Sequence, residues 1–287
     1  MGSKQHDAVM AVEMAPDSGL TPSPGHAGAG VAPLLSLRGI SKHFGPVQAL
    51  VNVDLDITAG SVTALVGDNG AGKSVLIKCI AGIFRPDAGQ ILWEGRPVDM
   101  QGPRDASALG IETVYQDLAL CDNLDIVQNM FLGRERLQRY LLDEAAMEVA
   151  AKDVLTSLSV TSVRSVRQPV SSLSGGQRQS VAVAKAVLWN SRLVVMDEPT
   201  AALGVAQIQT TTVLNLIRRL SAEGIAVLVI SHNLNDVFRV ADDVAALYLG
   251  RLVARAPIGD LDLQEVVHLI TTGEVLSSVP ATEVGAQ

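Results

Sequence analysis

The run of eight residues from Gly67 to Ser74, GDNGAGKS, constrains the fold of this chain more than any other feature of its sequence. It follows a short apolar run at residues 62–66 and precedes a helical stretch at residues 73–81. In the spacing G-x-x-x-x-G-K-S, glycines allow backbone N–H groups to converge on a phosphate at a helix N-terminus. The lysine of such a loop reaches the β- and γ-phosphates of a nucleotide, and the next hydroxyl binds Mg²⁺. The sequence therefore predicts a strand, a phosphate-binding loop and a helix.

Other apolar patterns place this unit in an α/β fold. Residues 193–196 and 226–230 form short apolar runs, which are typical of strands buried on both faces of a parallel sheet. Residues 51–57 instead alternate apolar and polar side chains, which predicts a half-buried antiparallel strand ahead of the loop. Residues 147–158 carry one apolar helical face, with Asp143 as the predicted N-cap. Strands that alternate with helices predict a mostly parallel core sheet, which we expect to follow an N-terminal antiparallel β subdomain.

Three segments depart from this alternation. Residues 1–33 are rich in Gly, Ala and Pro and have no periodicity, which predicts a disordered N-terminal tail. Helical patterns run from about residue 118 to residue 190 and predict an inserted α-helical subdomain. Residues 273–287 are small and polar, and we expect a loose C-terminal tail.

Charge and composition exclude several classes of protein. The chain has 22 Lys and Arg against 30 Asp and Glu, so its net charge of −8 repels phosphate backbones, and only 3% of its residues are aromatic. We therefore expect no nucleic-acid partner. The sequence has neither a run of about 18–20 apolar residues nor a signal-peptide pattern, and its two cysteines lack metal-ligand spacing. These features predict a cytoplasmic protein.

Two further motifs carry candidate chemistry. The apolar run at residues 193–196 ends in Asp197 and Glu198, where one acid can hold Mg²⁺ and the next can accept a proton from water. A solvated acidic turn is the simpler alternative for that segment alone. Ser174-Gly175-Gly176-Gln177 precedes a helical stretch and is either a second anion site or an ordinary N-cap loop.

Together these motifs resemble those of the ATP-binding subunits of ATP-binding-cassette (ABC) transporters, over about residues 34–272. Residues 67–74 match the Walker A loop, residues 173–177 the signature motif and residues 193–197 the Walker B strand. The resemblance implies a P-loop NTPase fold, the ABC nucleotide-binding domain, with ATP and Mg²⁺. The catalytic residues that it implies are Glu198, His232 as the switch histidine, and Gln116 as the Q-loop glutamine. The implied Mg²⁺ ligands are Ser74, Gln116 and Asp197. The implied nucleotide-binding residues are Phe44, Gly67, Asp68, Asn69, Gly70, Ala71, Gly72, Lys73, Ser74, Val75, Ser174, Gly175, Gly176 and Gln177. Phe44 would stack on adenine, with packing in the core as the alternative.

Two positions depart from the family pattern. Gly204 stands where most members have an aspartate that bridges the two nucleotide sites. Val75 stands where threonine is commonest, so one hydrogen bond to the α-phosphate is missing, a loss of about 1 kcal/mol. Because neither change affects the catalytic set, we expect an active ATPase.

Residues 117–124, 129–135 and 197–205 are similar to those of simple-sugar importers of the ribose, fructose and xylose type, in their single-cassette form. This likeness implies an ATPase that energises sugar import through an integral membrane permease docked near residues 116–135. It also implies a second copy in a head-to-tail dimer, in which Ser174 of one chain caps ATP held by Lys73 of the other. A periplasmic or extracellular sugar-binding protein would be an indirect partner, and the chain would lie on the cytoplasmic face of the inner membrane. The alternatives are a transporter for another substrate, a non-transport ABC ATPase and a non-hydrolysing regulator.

Overall fold

The computed structural model describes residues 32–201 and 207–274. Nearly all of the predicted tails, and Gly204, lie outside the described residues. The strands in chain order are β1 (Leu35–Phe44), β2 (Val47–Ile57), β3 (Val62–Val66), β4 (Ala88–Trp93), β5 (Arg96–Val98), β6 (Ile111–Val114), β7 (Leu137–Gln138), β8 (Leu141–Leu142), β9 (Leu193–Asp197), β10 (Ala226–Ile230), β11 (Asp243–Tyr248) and β12 (Arg251–Pro257). The helices are α1 (Lys73–Ile80), α2 (Pro103–Ala108), α3 (Ile126–Phe131), α4 (Glu144–Ser157), α5 (Gly175–Val187), α6 (Gln207–Ala222), α7 (Leu234–Val240) and α8 (Leu263–Thr272).

The core sheet has the order β12-β11-β3-β10-β9-β6, and its pairs are parallel except for β11 with β12. All five residues of β3 and of β10 are buried, as expected for apolar strands covered on both faces. The carboxyl ends of β3, β10, β9 and β6 therefore lie along one edge of the sheet, where ligands bind in open parallel sheets. This edge carries the phosphate loop and the acidic pair.

A second, antiparallel sheet with the order β2-β1-β4-β5 lies N-terminal to most of the core. Val53, Leu55 and Ile57 of β2 are buried, as their alternation with polar residues predicts. Val51 is only half-buried, because Asn52 has a left-handed backbone with φ +48° that interrupts the alternation. Helix α1 packs in the same apolar cluster as this sheet, through residues that include Leu76.

The segment between β6 and β9 is an insertion into the sheet, because these two strands are direct neighbours, with Ile111 opposite Leu193. It contains α3, α4 and α5, in agreement with the predicted helical block, and also the short hairpin of β7 and β8, which the sequence patterns did not indicate. Helix α4 begins after Asp143, whose side chain accepts a hydrogen bond from Ala146 N, so the predicted N-cap is confirmed.

Within the described ranges, no helix combines the length and the hydropathy that crossing a lipid bilayer requires.

Candidate functional site

The phosphate loop is folded around the ammonium group of Lys73. Its Nζ donates hydrogen bonds to the carbonyl oxygens of Gly67 (2.7 Å) and Asp68 (2.9 Å), and the residue is only 7% exposed. These bonds turn the loop's carbonyl groups toward the lysine. The first amides of α1 lack an intrahelical acceptor, as at every helix N-terminus, so an anion placed there meets N–H donors and a favourable helix dipole.

Two glycines of the loop differ in their surroundings. Gly72 precedes α1 with φ +103°, and a Cβ there would lie 2.6 Å from the carbonyl oxygen of Ala49 and 3.0 Å from Leu50 Cδ2. Gly70 has φ +82°, but no described atom lies within 4 Å of the place its Cβ would occupy. Gly72 thus lets the helix start pack against β2, whereas the space beside Gly70 is open.

Asp197 and Glu198 lie at the carboxyl end of β9, beside the loop. Asp197 pairs with Ile230 across the sheet, and Glu198 N donates to Ile230 O over 3.0 Å. Glu198 has a left-handed backbone with φ +52°, a conformation that costs an L-residue about 1–2 kcal/mol. The turn therefore departs from the strand direction at the residue that carries the second carboxylate.

The ionisable groups of the site shift one another's pKa values. Burial raises the pKa of Asp197, and the interactions with Lys73 and His232 oppose that shift. Burial also raises the pKa of Glu198, with His232 as the main opposing group. Burial lowers the pKa of Lys73, and the opposing carboxylates are Glu198, Asp68 and Asp197. The sheet edge thus holds a half-buried cluster of two carboxylates and one ammonium group.

His232 follows β10 and approaches Glu198 from the neighbouring strand. Its Nε2 lies 2.8 Å from Glu198 Oε1, while its own side chain is 53% exposed and that of Glu198 only 13%. The backbone of His232 also hydrogen-bonds the Glu198 carboxylate. The ring approach is not a well-aligned hydrogen bond, so among the described residues Oε1 itself has no hydrogen-bond partner. An unsatisfied buried carboxylate oxygen is costly, and it is free to accept a hydrogen bond from a bound water.

The donor set fits Mg²⁺ bound together with a nucleotide. Among the described residues, no three His, Cys, Asp or Glu side chains form a metal cage. In nucleotide sites, however, Mg²⁺ takes only one or two protein oxygens and completes its shell with phosphates and water. Ser74, exposed at the end of the loop, and the half-buried Asp197 supply oxygens of that kind.

The signature residues form the N-terminus of α5. Ser174 is the N-cap: its Oγ accepts from Gln177 N (3.3 Å), and Gln177 Oε1 accepts from Ser174 N (2.9 Å). Gln177 Nε2 also donates to Ser162 O, 2.6 Å away, while Gly176 N donates to Gln209 Oε1 of α6 over 3.2 Å. No sequence pattern predicted the hydrogen bond between Gly176 and Gln209. The N-cap alternative for Ser174 is confirmed, and within the described residues no hydrogen bond joins its side chain to the phosphate loop.

The two remaining candidates lie at the periphery. Gln116 is exposed and follows β6, at the same edge of the sheet as Asp197. Phe44, at the end of β1, is 43% exposed, so it is not a core residue. Its ring meets Phe84 edge-on, with centroids 5.2 Å apart, and Lys42 Nζ lies 5.5 Å from its centroid. The structure thus brings Lys73 and Asp197 together with Glu198 and His232, which follow β9 and β10. Phe44 and the signature loop lie on separate elements.

The chain is similar to several proteins of known family. Residues 50–201 match the family model described as ABC transporter. The xylose/arabinose import ATP-binding protein of Sulfolobus acidocaldarius is 43% identical over 239 residues, which cover 83% of this chain and 94% of that protein. The fructose import ATP-binding protein of Rhizobium meliloti is 44% identical over 246 residues, with the same coverage of 83% and 94%. The ribose import ATP-binding protein of Rubrobacter xylanophilus is 40% identical over 86% of this chain, which spans about half of that protein (49%).

Solved structures of ABC transporter cassettes have the same fold. A nucleotide-free ATP-binding cassette from an ABC transporter superimposes with a TM-score of 0.71 at 27% identity, covering 83% of this chain and 98% of that chain. Another ABC transporter cassette, in its ADP conformation, gives a TM-score of 0.70 at 27% identity, with coverage of 85% and 96%. The α/β fold with a parallel core and an N-terminal antiparallel sheet is therefore confirmed. This chain belongs to the ABC transporter family and is one of its ATP-binding cassettes.

Proposed function

We propose that this ATPase energises the import of a simple sugar through a membrane permease. The cluster of Lys73, Asp197, Glu198 and His232 at one sheet edge is the observation that carries the hydrolysis half of the proposal. The names of the relatives, which are import proteins for xylose and arabinose, fructose and ribose, support the sugar half. A transporter for another substrate is the alternative.

Each residue of the cluster has a distinct role in this proposal. Lys73 and the loop amides hold the β- and γ-phosphates of ATP, and Ser74 and Asp197 are the Mg²⁺ ligands, with Gln116 completing the set. Bound Mg²⁺ would neutralise phosphate charge during the transfer. Glu198, whose pKa is raised by burial, orients the attacking water and accepts its proton through the unsatisfied Oε1. His232 holds the Glu198 carboxylate through its backbone, with its ring 2.8 Å from Oε1, and faces the γ-phosphate.

The catalytic site is completed by a second copy of the chain in this proposal. Ser174 and the amide of Gly175, at the N-terminus of α5, form an anion-binding helix start, and the Gly176 amide would join them by leaving Gln209 Oε1. Among the described residues, no hydrogen bond joins this helix start to the phosphate loop of its own chain. A head-to-tail dimer supplies the missing partner, with Gln177 setting the cap and Phe44 stacking on adenine. Closure around ATP and opening after hydrolysis would move permease helices docked near residues 116–135, on the cytoplasmic face of the inner membrane. A periplasmic or extracellular binding protein would deliver the sugar.

Uptake in cells tests the transport half. A strain that lacks this chain is assayed for uptake of labelled xylose, fructose and ribose, and is then complemented with the wild type or with Glu198→Gln. We expect uptake of at least one of these sugars to fall, to return with the wild type, and to stay low with Glu198→Gln. Unchanged uptake of all three sugars would refute sugar import.

Phosphate release by the purified chain tests the hydrolysis half separately. Glu198→Gln should lose turnover and keep ATP binding, whereas Lys73→Ala should lose both. Equal turnover in Glu198→Gln and the wild type would reject Glu198 as the base.

A further inference from the structure

The loop that follows Gln116 is strained and is held at both ends. At its start, Leu118 N donates to Tyr115 O over 2.9 Å, directly after β6. Leu118 and Ala119 then adopt left-handed backbones with φ +59° and +46°, which non-glycine residues rarely do. Two consecutive residues of this kind persist only where the surrounding structure fixes them.

The far end of this loop is fixed by Asn129 of α3, whose side chain is fully buried (0% exposed). Its Oδ1 accepts from Cys121 N at 2.7 Å. Its Nδ2 lies within hydrogen-bonding distance of three carbonyl oxygens, at 3.0 Å (Cys121), 3.3 Å (Leu124) and 3.0 Å (Asp125). The side-chain amide of Asn129 thus bonds to backbone groups between residues 121 and 125. It can do so because one short side chain carries both a donor and an acceptor.

The same segment is bonded to the chain that leads into the signature loop. Val170 N donates to Leu124 O (3.0 Å), and Ser171 N donates to Asp122 O (3.1 Å). Asp125 also forms an antiparallel bridge with Pro169. Ser174, the N-cap of α5, comes only three residues after Ser171. A continuous backbone path therefore runs from Gln116 to Ser174, and Asn129 lies at its centre.

We propose that Asn129 is a positioning residue that couples the Gln116 loop to the signature serine of the same chain. In a head-to-tail dimer these two residues serve opposite ATP sites, so the junction transmits the state of one site to the other. This inference rests on the proposed function. Asn129 acts through Gln116 and Ser174 and does not touch the nucleotide itself.

Two pairs of variants isolate the junction. Asn129→Asp keeps the acceptor for Cys121 N but loses the amide donor. Leu155→Ala is its control, since it removes a buried apolar side chain of α4 and none of the hydrogen bonds of the junction. Ser171→Pro removes the N–H that bonds to Asp122 O at an exposed residue. Its control is Ser172→Pro, which removes an N–H bonded only within its own turn, to Pro169, and restricts the exposed Ser171 where Ser171→Pro restricts the buried Val170.

Steady-state ATP hydrolysis by the full-length chain is the first measurement. We expect Asn129→Asp and Ser171→Pro to lower kcat about tenfold and to leave KM for ATP within about twofold, because the phosphate loop is untouched. In a double-mutant cycle, Asn129→Asp should add less than about a twofold loss to Gln116→Ala. Fully additive losses, or equal losses in the controls, would overturn the inference.

The thiol of Cys121 gives a readout that does not depend on turnover. In the Glu198→Gln background, ATP with Mg²⁺ should change the labelling rate of Cys121 by at least about threefold, and Asn129→Asp should abolish this response. A response that survives Asn129→Asp would overturn the inference and leave the ATPase function intact. A wild-type chain that releases no phosphate would overturn both.

Discussion

Two glycines of the phosphate loop have similar backbone angles but different surroundings, and their alanine variants should therefore behave differently. At Gly72, the new Cβ would lie 2.6 Å from the carbonyl oxygen of Ala49, which belongs to β2 and cannot move without disturbing the antiparallel sheet. At Gly70, the new Cβ has no described atom within 4 Å. Both residues have positive φ, at +103° and +82°.

The expected losses of stability follow from these contacts. A left-handed backbone costs an alanine about 1–2 kcal/mol at either position. Overpacking adds about 1–3 kcal/mol at Gly72 alone, so Gly72→Ala should lower the free energy of unfolding by about 2–5 kcal/mol. Gly70→Ala should lower it by only about 1–2 kcal/mol. Urea unfolding of both variants, followed by circular dichroism, measures this difference.

The effect of the two substitutions on ATP affinity should not follow their effect on stability. The proposed function places the phosphates against this loop, and a Cβ at Gly70 disfavours the positive φ that shapes it, so ATP affinity should fall by at least about tenfold in a protein that is still well folded. Equal loss of stability in the two variants would refute the packing argument. Unchanged ATP affinity in Gly70→Ala would refute the position of the phosphates.

Three further measurements test individual side chains of the structure. Burial raises the pKa of Cys79 to about 11, so thiol labelling at pH 8 should be at least about 100-fold slower in the folded chain than in urea; equal rates would contradict its burial. Ser174→Ala removes the acceptor for Gln177 N and should cost about 1 kcal/mol in thermal unfolding, whereas Ser174→Asp should keep the cap and lose ATP hydrolysis through charge repulsion; an active Ser174→Asp would argue against a phosphate there. Arg134→Lys loses the guanidinium that lies 5.1 Å from the Trp189 ring and bonds Glu112 and Ser107, and it should cost about 1 kcal/mol in urea unfolding; an unchanged stability would contradict a stabilising role for these contacts.

The strands of the core sheet were predictable because burial on both faces leaves a distinctive pattern. β3 and β10 coincide with the apolar runs at residues 62–66 and 226–230. The start of α4 after Asp143 was predictable for a similar reason, since an N-cap and an apolar face are local signals. Such features need no knowledge of distant residues.

The hairpin of β7 and β8 was not predictable from local pattern. Each strand has only two residues, and the turn between them is Arg139-Tyr140, with Arg139 at φ +59° and without the glycine or asparagine typical of such turns. Apolar side chains that are exposed here, such as Leu141 at 77%, give no periodicity.

In the candidate site, the residue types were predictable but their mutual geometry was not. The sequence indicates two carboxylates after β9, yet the left-handed backbone of Glu198 and its approach to His232 depend on the neighbouring strand β10. Asn129 likewise has no local signal, because its partners at residues 121–125 are backbone groups that the fold brings to it. Polar residues inside an apolar helix are informative only once their burial is known.

Complementation between two inactive variants tests most directly whether each ATP site is shared by two chains. Lys73→Ala disables the phosphate loop and Ser174→Asp disables the signature turn, so each variant alone should release almost no phosphate. In an equal mixture, half of the dimers would contain one of each chain, with one intact site, and the mixture should recover roughly a quarter of wild-type activity. A mixture no more active than the sum of its two components would contradict the shared site.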